Sequence, residues 1–157
     1  MSWSRAEISA LATKAARGAG APAGQAAGFG AAAVVHLVRQ RDEQALIDAL
    51  DALPVGPIVD LPCQIDAALS GDAPIANDAV SDLLKSYLEA RSYPVSLDHA
   101  TGCLSVNDGS PASGISGRIT GYSELIDLME KLAERTYVPD SDASRAAGAG
   151  AGLSDND

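Results

Sequence analysis

The sequence predicts an α+β fold: a mainly helical single domain with a small antiparallel β-sheet. Apolar residues recur at helical spacing through most of the chain, and strict alternation of apolar and polar residues appears between residues 94 and 106. The strand–helix–strand repeat of a nucleotide-binding sheet is missing. A chain of 157 residues suffices for one domain, residues 1–157, with one hydrophobic core.

The first helix is predicted from its capping signals. Ser4 and Glu7 have the spacing of a capping box, and Trp3 and Ile8 have the spacing of a hydrophobic staple. Small and apolar residues follow at helical spacing, and Gly18 offers a stop where φ can be positive. The sequence therefore predicts a helix that begins after Ser4 and ends near Gly18.

The second and third helices are predicted to be rich in small residues. Pro22 suits the first turn of a helix that runs to about Arg41. Gly24 and Gly28 lie four residues apart in this helix and make a smooth face, which predicts close packing in the core or between subunits. Each glycine inside a helix costs about 1 kcal/mol relative to alanine, so close packing must offset that cost. A third helix is predicted in "RDEQALIDALDALP", which Pro54 ends.

Prolines interrupt the stretch from Val55 to Pro74. It is interpreted as an extended crossing followed by a short helix. A clear helical pattern then resumes in "NDAVSDLLKSYLEARSY", where Asn77 or Asp78 is the expected N-cap and leucines form an apolar stripe.

The remaining elements are a hairpin, a third strand and a last helix. The alternation in "YPVSLDHATGCLSVND" predicts the hairpin near residues 94–106. Because a two-stranded ribbon alone is barely stable, a third strand is expected near residues 118–120. The last helix is predicted from Ser123 to about Arg135.

The charge of the chain argues against nucleic acid as a partner. The formal charge is −10 and the sequence pI is about 4.4, and no cluster of Lys and Arg is present to bind phosphates along a backbone. Residues 1–41 carry a balance of +4 and the remainder −14. The two parts are therefore expected to attract each other, within the fold or between subunits.

A membrane partner is not predicted either. The longest uncharged run, from Gly18 to Val38, contains Pro22 and several glycines and is rich in alanine, which favours a buried soluble helix over a membrane span. Because no secretory signal is found at the N-terminus, a cytoplasmic location is expected.

Motifs of known enzymes and metal sites are not found in the sequence. Without a Walker loop, a nucleophile elbow or a dinucleotide-binding loop, no cofactor is predicted, and the sequence leaves open whether the protein is an enzyme. His36 and His99 lack partners at ligand spacing, so we predict structural roles for both and no metal site. Cys103 lies in an apolar strand-like run and is predicted to be a small core residue. Cys63 follows Pro62 and is expected to be more exposed.

The two ends of the chain carry a family resemblance. The first helix contains "SALATKAARGAG", and the C-terminal stretch is "LAERTYVPDSDASRAAGAGAGLSDND". Both stretches resemble a bacterial family known as the domain of unknown function DUF3726. The resemblance implies no known activity, but it implies that residues 136–157 are a family feature.

The Gly- and Ala-rich tail, residues 136–157, has two interpretations. Its composition alone indicates a disordered end. Gly148, Gly150 and Gly152 alternate with alanine, however, so an extended backbone here would fit a narrow groove. With the resemblance added, we expect the tail to dock on the domain or on a partner subunit.

Two arginines beside glycines give one candidate site for an anion. In each case a guanidinium lies near backbone N–H groups, a combination that suits a carboxylate or a phosphate. If the tail returns to the first helix, the two groups would converge on one small ligand; alternatively, both arginines pair with carboxylates. The candidate ligand-binding residues are Arg17, Gly18, Gly20, Arg145, Gly148 and Gly150.

Two classes of function follow from these observations. The preferred one is a non-catalytic structural or accessory subunit of a metabolic system, which forms a homodimer through the small-residue helix and acts beside a metabolic enzyme. The other is a binding protein or enzyme whose pocket for an anionic small molecule is completed by the tail. A flat seam of Ala and Gly would favour the first class, and a concave pocket lined by Arg17 and Arg145 the second.

Overall fold

The computed structural model describes residues 1–76, 80–109 and 117–136, which form six α-helices and two small antiparallel sheets. This architecture confirms the predicted α+β class with mainly helical content. The helices are α1 Arg5–Gly18, α2 Ala23–Val38, α3 Gln44–Asp51, α4 Pro57–Ser70, α5 Asp82–Glu89 and α6 Ser123–Ala133, and a 3-10 turn, Glu134–Thr136, follows α6. The strands are β1 Ser2–Trp3, β2 Val95–Leu97, β3 Leu104–Val106 and β4 Ile119–Thr120.

One hydrophobic core receives large side chains from every helix. Each of these side chains is buried against its neighbours, so all six helices depend on the same core for their stability. Fully buried representatives, in the order of the helices, are Ile8, Phe29, Leu46, Ile58, Leu84 and Leu125. In the described part of the chain, no helix is both long enough and apolar enough to cross a bilayer.

The start of α1 is built as predicted. The Glu7 backbone N–H donates to Ser4 Oγ at 3.2 Å, and the Ser4 backbone N–H donates to Glu7 Oε2 at 2.6 Å. Two of the backbone donors at this end of the chain are thereby satisfied. Trp3 is half-buried against the core that contains Ile8, and α1 ends at Gly18, the predicted residue.

Helices α1 and α2 approach each other through Gly30. A Cβ atom at this position would lie 2.1 Å from Thr13 Oγ1 and 2.7 Å from the Ser9 carbonyl oxygen, so only glycine allows the observed distance. The expected close packing of small residues is therefore present, and it is centred on Gly30.

The predicted smooth face of α2 lies mostly toward solvent. Gly24 is exposed, and a Cβ there would meet no atom within 4 Å, while Gly28 packs loosely against the Tyr87 ring. The core alternative of this prediction is therefore wrong at Gly24, because the helix is rotated so that Gly30 meets α1 and Ala26 is buried, and the subunit alternative stays a prediction.

The stretch after Val55 is a helix of 14 residues, longer than the predicted short helix after an extended crossing. Pro57 occupies its first turn, where the missing N–H has no cost, but Pro62 lies inside the helix. A proline there costs about 3 kcal/mol. Burial of Ile58 and Ile65 on the core side, each contributing about 1.5–3 kcal/mol, offsets this cost.

Helix α5 begins later than predicted. Its N-cap is Ser81, whose Oγ accepts the backbone N–H of Leu84 at 3.1 Å, and neither Asn77 nor Asp78 takes that role. Residues 77–79 lie outside the described part of the chain. Ser81 was overlooked because the apolar pattern starts at Val80, two residues before the first residue of the helix.

The hairpin is confirmed, and it pairs Val95 with Val106 and Leu97 with Leu104. The third strand is present, but β4 pairs with β1 and so forms a separate ribbon.

Cys103 is exposed, which contradicts its predicted place in the core. The reason is the pleat: Leu104 faces the core, so the residue before it points away. Cys63 is exposed as expected.

Candidate functional site

The carboxyl-terminal ends of α1 and α6 lie side by side. Gly18 is the last residue of α1, and a Cβ atom added to it would lie 1.9 Å from the Leu132 carbonyl oxygen of α6 and 3.4 Å from Arg135 Cβ. Only glycine permits this approach of two backbones. As a result, the residues around both helix ends face a common space.

That space is a surface cleft of about 360 Å³, which we call the basic cleft. Three of its lining side chains are cations, and no carboxylate lines it among the described residues. The lining residues are Thr13, Lys14, Arg17, Gly18, Arg135 and Thr136.

The three cations reach the basic cleft from two elements. Lys14 and Arg17 are three residues apart in α1, so their side chains share one face of the helix. Arg135 comes from the 3-10 turn that follows α6. All three side chains are exposed, so the cleft is open to solutes.

The positive charge of the three cations is larger than the partial negative charge of the two helix ends. The carboxyl-terminal end of a helix carries about half a negative elementary charge, and two such ends meet here. Lys14, Arg17 and Arg135 supply three positive charges against them. The excess of about two positive charges attracts an anion, in a protein whose formal charge is −10.

The predicted ligand residues are only partly brought together within the described chain. Arg17 and Gly18 line the basic cleft, but Gly20 does not. The Gly20 N–H donates to the Arg17 carbonyl oxygen at 3.1 Å, and the Ala21 N–H donates to the Ala16 carbonyl oxygen at 2.8 Å. Both N–H groups therefore close the end of α1, so the Gly20 N–H is not free for a ligand as the prediction required.

The other half of the predicted anion site belongs to the C-terminal segment. Arg145, Gly148 and Gly150, together with the rest of residues 137–157, lie outside the described part of the chain. The predicted docking of the tail lies outside it as well.

Two cations of the cleft were missed in the sequence. Lys14 could have been found from its spacing to Arg17, because residues three apart on a helix are neighbours on its surface. Arg135 carries no such signal, since it meets Arg17 only through the packing of α6 on α1.

A second group of polar side chains lies in the interior, around His36. Both His36 and Ser86 are fully buried. His36 Nε2 lies 2.8 Å from the Asp42 carbonyl oxygen and therefore donates to it, and Nδ1 lies 2.9 Å from Ser86 Oγ. The one proton of the Ser86 hydroxyl is shared between Nδ1 and the Asp82 carbonyl oxygen, which lies 2.9 Å from Oγ. The Arg41 guanidinium donates to the same hydroxyl at 2.7 Å.

The chemistry of this buried group is structural. Burial lowers the pKa of His36, against a hydrogen bond to Asp42 that acts to raise it, and Arg41 lowers it further. His36 is therefore neutral at pH 7, and both ring nitrogens have partners inside the protein. This geometry agrees with the structural role predicted for His36, and His99 is exposed in the hairpin turn.

The described residues contain no group of three or more His, Cys, Asp or Glu side chains placed to hold a metal ion.

Comparisons of the chain with family models, with curated proteins and with solved structures gave no match. The resemblance of both ends to DUF3726 stays a prediction. Fold and cleft together define a mainly helical α+β domain with a cationic cleft at two adjacent helix ends.

Proposed function

We propose that the protein binds a small anion, a carboxylate or a phosphate, in the basic cleft. The observation that supports this function is the convergence of Lys14, Arg17 and Arg135 on one concave space. Its volume of about 360 Å³ lies at the small end of the range for ligand pockets, which is roughly 300–1,000 Å³.

Recognition in the cleft depends on the cations. Each guanidinium can donate two parallel hydrogen bonds to a carboxylate or a phosphate, and Lys14 adds a compact charge. The Thr136 hydroxyl already donates to the Ala133 carbonyl oxygen at 2.7 Å, so it offers a ligand no proton. Because the cleft is open and polar, we expect millimolar affinity that falls as the salt concentration rises.

Titration of the isotope-labelled protein with inorganic phosphate, and separately with succinate, tests this function by NMR. We expect the amide signals of residues around the cleft to shift. The variants Arg17→Ala and Arg135→Ala should each weaken binding by about three- to tenfold, because each removes a charged donor. The matched control is Arg5→Ala, which removes the same charge from the exposed start of α1, outside the cleft.

Equal weakening by the Arg5 control would show that only the overall charge matters and would contradict a site in the cleft. Binding of both probes that leaves the cleft signals unmoved would contradict it too. The thermal unfolding midpoints of all three variants should match that of the parent, since these side chains are exposed.

A second candidate function is that of an accessory subunit that forms homodimers through α2 and acts beside a metabolic enzyme. Gly24, Ala27 and Ala31 are exposed on one face of this helix. Beside them lies a mainly apolar groove of about 170 Å³, which Tyr87 also lines. The Tyr87 ring is the aromatic part of this groove, so an apolar side chain of a second copy would find both small residues and a ring to pack against.

A further inference from the structure

We propose that the acidic start of segment 137–157 occupies the basic cleft, so that a free anion competes with Asp140 and Asp142 of the same chain. This proposal deepens the proposed function, because it names a competitor for the same site. It differs from the anion site predicted from the sequence, in which Arg145 of the tail would help to hold the ligand.

Segment 137–157 begins next to a residue of the cleft. Thr136 is the last described residue and lines the basic cleft itself. Asp140 and Asp142 follow four and six positions later in the sequence. Because a chain spans at most about 3.3–3.6 Å per residue, both carboxylates stay within roughly 20 Å of Thr136. The cleft is thus within their reach in any conformation that turns back.

Charge complementarity selects the cleft as the docking surface. Segment 137–157 contains four aspartates and one arginine, and the cleft presents three cations without a described carboxylate. The protein as a whole is strongly acidic, so most of its surface repels this segment. The basic cleft offers an excess of positive charge beside Thr136, where the segment begins.

The expected strength of docking depends on the short stretch of chain that connects Thr136 to the two aspartates. A short flexible linker holds its ends at an effective concentration in the millimolar range, comparable to the affinity expected for a small anion. Two exposed ion pairs then favour the docked segment over the undocked segment by about twofold or more. Docking should therefore weaken the apparent affinity for a free anion by about threefold.

The first test compares two charge-matched double variants of the full chain. Asp140→Asn with Asp142→Asn removes the proposed competitor, and Asp155→Asn with Asp157→Asn removes the same charge farther along the segment. We expect the first pair to tighten phosphate binding by about threefold, measured by NMR titration, and the second pair to leave it unchanged. Equal effects of the two pairs would overturn the proposal.

The second test needs no free ligand. In a background where the exposed Cys63 and Cys103 are replaced by serine, Thr13→Cys with Ser141→Cys places one thiol in the cleft and one between the two aspartates. All three cations and both aspartates are kept. Oxidation with the neutral reagent diamide should form the disulfide several-fold faster in dilute buffer than in 1 M salt, where the screening length is about 3 Å.

A disulfide rate that does not depend on salt would mean that the tether alone brings the thiols together, and the proposal would fail. Arg17→Ala with Arg135→Ala in the same background should remove the salt dependence. The two proposals can fail separately. If phosphate does not bind while the crosslink is salt-sensitive, the proposed function fails and the docking stands.

Discussion

Two glycines, Gly18 and Gly30, decide how closely the main helices approach. At both positions an added Cβ would lie about 2 Å from an oxygen of the neighbouring helix. The sequence showed that the helices are rich in small residues, but it did not show which glycine makes the contact. Gly24 and Gly28 looked more regular in sequence, yet the rotation of α2 about its axis places the contact at Gly30.

Substitution of Gly30 by alanine should destabilise the protein by about 1–3 kcal/mol, because the methyl group would overlap Thr13 Oγ1 and the Ser9 carbonyl oxygen. Gly24→Ala is the matched control in the same helix. Its added Cβ meets no atom within 4 Å, so the variant should be more stable by up to about 1 kcal/mol. Urea unfolding of both variants measures the difference, and a destabilised Gly24→Ala variant would contradict this account.

The helices show how far local signals extend. The Ser4 capping box defined the start of α1 from the sequence alone, because every group involved lies within four residues. The long α4 was not predicted, since its prolines at 57 and 62 indicate a break when considered locally. Its apolar side chains recur at helical spacing, and their burial in the core outweighs the local cost of Pro62.

The exposed face of α2 allows a test of the second candidate function. If this face joins two copies, Ala27→Arg should convert dimers to monomers in sedimentation velocity experiments, because a long charged side chain would separate the two helices. Ala27 is exposed, so the folded monomer should tolerate the change. Ala10→Arg, at an exposed position of α1, is the control. A parent protein that sediments as a monomer at about 100 µM would rule out this function.

At the scale of the whole molecule, the expected attraction between the basic start of the chain and its acidic remainder is visible, among the described residues, where the end of α2 meets α5. Arg39 Nε lies 2.7 Å from Glu89 Oε2, and Arg41 pairs with the other oxygen of the same carboxylate. Partial burial acts to raise the pKa of Glu89, but the hydrogen bonds from Arg41 and Arg39 outweigh it and lower the pKa. These contacts join the end of α2 to α5, beside the buried His36.

The lowered pKa of His36 makes stability depend on pH. An unfolded histidine titrates near pH 6.5, whereas the folded protein holds His36 neutral to a lower pH. Below about pH 6.5 the unfolded chain therefore binds a proton that the folded protein does not. The free energy of unfolding should fall as the pH drops from about 6.5 through the folded pKa, by at most about 1.4 kcal/mol per pH unit.

Urea unfolding between pH 8 and pH 5 measures this dependence, and NMR titration of the His36 ring identifies the group. The charged neighbours of His36 are Arg41, which lowers its pKa, and Asp82 and Asp42, which raise it. The carboxyl pKa values of Asp82 and Glu89 are themselves lowered, so these groups gain protons only at still more acidic pH. A His36→Gln variant with the same slope as the parent would contradict the assignment.

The sequence by itself determined the helical pattern, the capping box of α1, the hairpin and the acidic charge, because these depend on neighbours within a few residues. Only the tertiary structure decided that β4 pairs with β1 and that Arg135 joins Lys14 and Arg17 in one cleft. Each of these contacts joins residues far apart in the chain. Their formation depends on how α1, α2 and α6 share one core, and that arrangement is set by the sum of many weak packing interactions rather than by any local signal.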